Sequence, residues 1–470
     1  MKLKPFLLFF SLLALLFANP IDLDNLLDYQ SDLAIPTYII GENTPAHNPI
    51  NDAEATLGRV LFYDQQLSVN GSTACASCHH QEFAFGDTSV VSVGWNGELT
   101  DRHSMRLVNL RFDGGQAMFW NRRTPSLEVQ TTLPIRDHKE MGFSGQNGQP
   151  QFDSLIRRLE GLDYYQQLFA FVYDDTRVTE LRVKNALAQF IRSIHSYDSK
   201  YDIGRQQVQH SGQDFPNFTA QENMGKNVFT APPNGGIGGI GAGCERCHLQ
   251  PKFDITRNVG NNNVITVAGD STRFDLQNRR APTLRDLVNP QDVTNGPFMH
   301  NGSLKTLEEV VEHYNLINHN PAINPLLDNR LRPNSTGQDL QMSNERKAAL
   351  VAFLKTLTGR ELYTHPKWSD PFNTDGSIDI LPMLNTATQE KTADLAWSIY
   401  PNPLRQEARI IAPAGVFSLQ VLNANGQLLQ TKEVQHHSTF SLATQPAGIY
   451  YLHLADKNTP RVKTISITKL

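Results

Sequence analysis

Apolar positions recur along the chain in three patterns. The first is a continuous run from Phe6 to Phe17, preceded by Lys2 and Lys4 and followed by Ala18. It predicts a secretory signal peptide over residues 1–18 and is short for a bilayer span. The second is helical spacing. Leu57-Gly-Arg-Val-Leu-Phe62 and Met224-Gly-Lys-Asn-Val-Phe229 each read as a short helix. Phe152 to Tyr197 is helical, with Leu181, Ala188, Phe190 and Ile191 inward and Arg182 and Lys184 off that face. Thr306-Leu-Glu-Glu309 is a capping box opening a helix on which Leu307, Val310, Val311 and Tyr314 share one apolar face. Asn344 to Leu357 forms another helix, with Ala348, Val351, Phe353, Leu354 and Leu357 inward and Thr358-Gly359 ending it. The third pattern is alternation. It marks strands at Phe417–Leu422, from Gln427 onward, at Gly448–Leu454 and at Val462–Ile467, with Asn425-Gly426 as a hairpin turn. These strands predict a small β-sandwich over residues 396–470, joined by a polar linker at 371–395.

Composition changes this picture little. At 470 residues the length accommodates several domains, and 39% hydrophobic residues is ordinary for a globular chain. A net charge of -5 gives no reason to expect nucleic acid or an anionic membrane as partner. Residues 19–50, rich in Asp, Asn and Pro, read as an irregular lead-in.

The cysteines matter more. The chain has four, all within Cys75-Ala-Ser-Cys78-His79 and Cys244-Glu-Arg-Cys247-His248. A C-x-x-C-H run attaches haem c: two thiols form thioethers to the vinyl groups, and the adjacent imidazole binds iron. Two covalent haems therefore account for every cysteine and for both trailing histidines. A zinc site joining the two Cys-x-x-Cys pairs explains the thiols but not the histidines, and a disulfide framework is unneeded in a chain this long. The motifs lie 169 residues apart, and Gly58 and Gly225 precede them by 17 and 19 residues. This is an internal duplication. The expected fold is mainly α, with two cytochrome c-like haem domains at 51–210 and 211–370 ahead of the sandwich. The glycine-rich stretch Gly235–Gly243 lacks a P-loop Lys-Ser/Thr and reads as packing near a haem edge.

The segments Phe119-Trp120-Asn-Arg-Arg-Thr-Pro-Ser-Leu-Glu-Val-Gln130, Glu140-Met141-Gly142, Arg280-Ala-Pro-Thr-Leu-Arg285 and Pro297-Phe-Met-His300-Asn-Gly-Ser, with the two haem motifs, resemble the bacterial di-haem cytochrome c peroxidase family, which includes the MauG proteins. The resemblance covers roughly residues 50–370. It implies a hydrogen peroxide-reducing haem held by Cys75, Cys78 and His79, with Glu140 as general base and acid on its open face. It also implies that Trp120 relays electrons from the haem held by Cys244, Cys247 and His248, which a small electron-donor protein would reduce. The family's methionine ligand to the second iron falls at Tyr314, the residue type of the MauG branch. Met299 is the competing ligand, and a buried structural Tyr314 the remaining reading. A phenolate favours ferric iron where a thioether favours ferrous. No histidine matching the family's capping loop occurs between Phe83 and Leu99, where Trp95 stands instead; His80 adjoins the proximal His79. An open or water-bound first haem is therefore expected. The family's calcium asparagine falls at His103, a poor calcium ligand, which leaves carbonyls near Asn295 and Pro297 for that ion.

Ser398-Ile-Tyr-Pro-Asn-Pro403, the Gly-Ile-Tyr-Tyr run at Gly448 and Arg461-Val-Lys463 resemble the C-terminal sorting domain of type IX secretion. That resemblance implies secretion machinery as a partner, passage through the periplasm and a final place at the cell surface or outside; the other reading is a generic binding sandwich. The sequence thus leads to an exported di-haem peroxidase. A MauG-type oxidase of a protein substrate and a non-catalytic electron-transfer protein are the alternatives.

Overall fold

The chain, a computed structural model, separates into two units, Met1–Pro382 and Met383–Leu470. The structure describes residues 21–30, 35–113, 117–233, 241–254, 264–318, 320–332, 337–380, 398–400, 407–411, 416–423, 428–435, 438–456 and 462–469. The signal peptide, most of the glycine-rich stretch, the Asn425-Gly426 turn and residues 381–397 lie outside them.

The helices of the first unit are α1 (Asp52–Tyr63), α2 (Leu127–Thr131), α3 (Leu133–Arg136), α4 (Phe152–Glu160), α5 (Asp163–Tyr173), α6 (Glu180–Ser193), α7 (Lys200–Gln206), α8 (Ala220–Thr230), α9 (Leu307–Asn315) and α10 (Asn344–Lys355). Short side chains set where they start. Asn51 accepts from the Glu54 amide at 2.8 Å at α1, and Thr179 caps α6. Capping boxes open α7 (Ser199 with Asp202), α8 (Thr219 with Glu222) and α9 (Thr306 with Glu309). Two short antiparallel pairs, β1 (Thr266–Val267) with β2 (Asp270–Phe274) and β3 (Leu316–Asn318) with β4 (Gly337–Asp339), complete this unit.

The same crossing occurs twice. Helix α1 packs on α6 and α8 on α10, each through a glycine that lets two backbones touch. A Cβ on Gly58 would stand 2.0 Å from the Ala186 carbonyl oxygen, and one on Gly225 1.9 Å from that of Ala349. Around the first crossing lies a core containing Leu57, Leu61, Phe62, Leu187 and Phe190; around the second lies one containing Val228, Phe229, Leu350, Phe353 and Leu354. Between them the buried Arg285 guanidinium donates to both Asp202 carboxylate oxygens at 2.8 Å and lies 4.6 Å from the Tyr197 ring centre. This ties the 282–288 segment to α7.

Three expectations from the pattern need correction. Leu181 is 57% exposed. It precedes Val183 by two residues, about 200° around a helix, so it faces away from the core that Val183 and Leu187 join. On α10, Ala348 is exposed, and Ala349 and Leu350 turn inward instead. The linker does not begin at 371: Ile380 is buried in the first core, Phe372 and Ile378 pack against it, and the Ile380 carbonyl accepts from the Arg59 guanidinium at 3.1 Å.

In the second unit, β5 (Ser398–Tyr400), β6 (Glu407–Ile411) and β9 (Ser438–Ser441) form one antiparallel sheet in the order β5-β6-β9. Strands β7 (Val416–Asn423), β8 (Leu428–Gln435), β10 (Gly448–Asp456) and β11 (Val462–Lys469) form another in the order β11-β10-β7-β8. Alternate residues Phe417, Leu419 and Val421 join Tyr450 and Leu452 in a core of its own.

Candidate functional site

Each C-x-x-C-H motif of the first unit lines a cavity of its own. The first, about 450 Å³, is lined by Cys75, Cys78, His79, Trp120, Pro134 and Glu140 among others. The second, about 160 Å³, is lined by Cys244, Cys247, His248, Met299 and Tyr314 among others. The two cysteine pairs therefore do not converge. Among the described residues no three His, Cys, Asp or Glu side chains group as a metal site, and all four thiols are free. Neither the shared zinc site nor the disulfide framework fits.

Each motif is a single 3₁₀ turn, Cys75–Ser77 and Cys244–Arg246. The histidine amide then bonds back to the first cysteine carbonyl, at 3.0 Å for His79 and 2.9 Å for His248. His79 Nδ1 lies 2.9 Å from the Phe85 carbonyl. His248 Nδ1 lies 3.2 Å from the Phe253 carbonyl and 3.1 Å from that of Pro282. Carbonyls only accept, so Nδ1 carries the proton and Nε2 is left with its lone pair, as an iron ligand requires. Burial pushes His79 below the usual histidine range and His248 to about 4, favouring the neutral imidazole. Burial also pushes the thiols up, to about 12 for Cys75 and Cys244 and about 11 for Cys78 and Cys247. Two thiols and one neutral, pre-oriented imidazole in each cavity are the donor set that haem c needs, so the residues fit the group.

Two similar loops bring the cavities together. Met118 bridges Thr124 around one, and Phe298 bridges Leu304 around the other. Trp120 and His300 occupy the same place in each, and their rings meet edge to face with centres 6.2 Å apart. Trp120 lines both cavities. Its Nε1 donates to the His103 carbonyl at 2.8 Å, and its own carbonyl accepts from the Arg279 and Arg280 amides at 3.0 and 3.1 Å. One of these bonds holds the ring and the other two hold its backbone.

Glu140 stands in the first cavity with its carboxyl pushed up to about 7, by burial and by the nearby Asp137, against the opposing pull of Arg123. The Arg123 guanidinium lies over the Phe119 ring at 3.4 Å from its centre. On α9, Leu307, Val310, Val311 and Tyr314 all line the second cavity, so the apolar face points where the spacing placed it. Burial, then Cys247 and Cys244, raise the Tyr314 phenol above its ordinary value. Met299 lines the same cavity from a left-handed backbone position, φ 68°.

Where the family's capping loop falls, neither Trp95 nor His80 lines the first cavity. Trp95 turns its Nε1 to the His138 carbonyl at 2.8 Å, and His80 bonds through its amide to the Gly86 carbonyl at 2.9 Å. His103 Nδ1 lies 3.0 Å from the Ser89 carbonyl, and burial pushes it to about 4. It presents no oxygen to calcium. The Asn295 amide nitrogen is committed to the Asp286 carbonyl and the Tyr363 hydroxyl at 3.0 and 2.8 Å. Its Oδ1 is buried without a hydrogen-bond partner, so that oxygen, together with backbone carbonyls, is what a calcium there would meet.

Two residues of the cavities were not singled out from the sequence. Arg123 is the second of the two arginines after Asn121, and only the fold shows that its charge, rather than that of Arg122, acts on Glu140. Arg106 lines both cavities and belongs to no recognisable motif.

A sequence model described as di-haem cytochrome c peroxidase matches residues 52–209, and one described as a secretion system C-terminal sorting domain matches residues 398–468. The methylamine utilization protein MauG of Methylorubrum extorquens is 30% identical over 327 residues, covering 67% of this chain and 80% of that protein. The cytochrome c551 peroxidase of Nitrosomonas europaea is 26% identical over 324 residues, covering 67% and 82%. A solved MauG-like protein associated with microbial copper homeostasis superposes with a TM-score of 0.57 at 27% identity, covering 72% of this chain and 98% of that one.

Proposed function

The chain belongs to the di-haem cytochrome c peroxidase family that includes MauG, and on that footing we propose that it reduces hydrogen peroxide to water with electrons from a small redox protein. The observation that carries this reading is Glu140, a carboxyl raised to about 7 in the same cavity as Cys75, Cys78 and His79. Haem c, held by those three residues and again by Cys244, Cys247 and His248, supplies the redox-active iron. Glu140 takes the proton from one peroxide oxygen and returns it to the other, which leaves as water; two electrons and two protons complete the conversion to two waters. A carboxyl near 7 is suited to both halves, since it releases and accepts a proton at similar cost at neutral pH. Trp120, bordering both cavities, carries electrons from the second to the first.

One observation favours a second reading, a MauG-type oxidation of a protein substrate: Tyr314, rather than a methionine, reaches the second cavity from α9. Steady peroxide consumption with a reduced c-type cytochrome supports the first reading. Negligible consumption, with two oxidising equivalents persisting on the peroxide-treated protein, supports the second. Inertness to peroxide would leave an electron-transfer protein.

The paired crossings at Gly58 and Gly225, with the matched Trp120 and His300 loops, support one haem domain duplicated, and the two C-terminal sheets support a sandwich. The match over residues 398–468 supports export by type IX secretion to the surface or beyond. Calcium has weak support.

A further inference from the structure

Arg106 is a cation short of partners at the boundary of both cavities. Its stem passes Gly86, whose absent side chain leaves room: a Cβ there would stand 3.0 Å from Arg106 Cγ. Its Nη2 donates to the Thr283 carbonyl at 3.2 Å, while its buried Nε has no partner. Among the described residues it forms no ion pair. Asp286 and Tyr363 are the acidic groups that act on it, but neither pairs with it: Asp286 Oδ1 accepts from the Tyr363 hydroxyl at 3.2 Å and the Gly359 amide at 2.9 Å, and Asp286 Oδ2 is buried without a hydrogen-bond partner. Burial, the larger influence, lowers the Arg106 pKa from its ordinary value. Arg280, the other arginine lining both cavities, is already paired with Asp113. A guanidinium has five N–H donors in a fork matched to carboxylates, and Arg106, half-buried with its Nε wholly shielded, has no anion to meet them.

We propose that Arg106 is a shared anchor for the carboxylate side chains of the two tetrapyrroles, binding one from each cavity. The inference rests on the di-haem reading above. No other cation among the described residues lining both cavities lacks an acidic partner. The placement has an electrical consequence: one positive charge bordering both cavities would favour the reduced state of the haem held in each.

The test is a spectroelectrochemical titration of the intact protein, wild type against Arg106→Gln and Arg106→Lys. With Arg106→Gln both haem midpoints shift downward; with Arg106→Lys, which keeps the charge, both stay near wild type. A shift in one haem alone, or in neither, overturns the shared anchor. Should Arg106→Gln fail to fold, resonance Raman of Arg106→Lys reads the propionate bending bands directly. Altered bands from both haems support the proposal, and unaltered bands overturn it. A haem count on the wild type separates the two levels: no haem sinks the functional reading and this inference together, whereas two haems with unmoved midpoints sink Arg106 alone.

Discussion

At the scale of single residues, the chemistry depends on how burial and neighbouring charge tune one carboxyl. Glu140 must be ionised to accept a proton, so kcat/KM for peroxide should rise with pH and level off through an inflection near its pKa of about 7. Arg123 pulls that value down. Arg123→Gln should therefore move the inflection to higher pH, while Glu140→Gln should remove it and lower kcat/KM by roughly 10²–10⁴-fold. An inflection that ignores both changes would assign the titration to another group. Tyr314 supports a separate prediction. If its phenolate is the second iron's ligand, Tyr314→Met should raise the midpoint of that haem and leave the first in place; an unchanged midpoint would return the position to Met299 or to packing. The haem motifs and the inward face from Leu307 to Tyr314 were legible because C-x-x-C-H and helical spacing are local patterns with few structural meanings, whereas the roles of Glu140 and Tyr314 came only from the family resemblance. Arg106 was not legible. Its environment is assembled from Gly86, Thr283 and Asp286, which no local pattern joins to it.

At the scale of elements, the helix crossings wall the cavities: Phe62, Leu187 and Ile191 line the first, and Phe229, Leu350 and Leu354 the second. Each crossing depends on the absence of one methyl group. A Cβ on Gly58 would meet Ala186 backbone atoms at 2.0 and 2.6 Å, and one on Gly225 would meet those of Ala349 at 1.9 and 2.5 Å. Backbone cannot step aside as a flexible side chain can, so the helices must separate. Gly58→Ala and Gly225→Ala should each cost about 1–3 kcal/mol in urea unfolding. Gly161→Ala is the control: the nearest contact of its Cβ is 3.4 Å from the Arg158 oxygen, and its backbone is ordinary, so it should change stability by less than about 1 kcal/mol. The sequence showed these glycines at matched distances before each haem motif but not their partners. Ala186 and Ala349 are 128 and 124 residues away from them, beyond the reach of periodicity. The misplacement of Leu181 and Ala348 has a related cause. Apolar spacing identifies a helix well, yet the partner across the crossing decides which neighbouring apolar residue turns inward.

At the scale of the whole chain, the boundary between the two units lies later than polarity suggests. Residues 371–380 look like linker because Asp, Asn, Thr and Gly dominate them, but three apolar side chains among them close the first core. Phe372, Ile378 and Ile380 cover it, and the Ser369 and Ile380 carbonyls accept from the buried Arg59 at 2.6 and 3.1 Å. A chain ending at Pro382 keeps all of these contacts; one ending at Asp370 loses the three side chains and the Ile380 carbonyl that accepts from Arg59. Burying one Ile is worth about 1.5–3 kcal/mol, and an unsatisfied buried charged group costs about as much again. The shorter chain should therefore melt several degrees below the longer one in calorimetry, while the chain ending at Pro382 should melt as the first unit does in the full protein. Export separates from folding in the same pair. Without residues 398–468 neither chain should leave the cell envelope, even though the chain ending at Pro382 should bind both haems and reduce peroxide as the full chain does. Equal melting of the two truncations would place residues 371–380 in the linker after all.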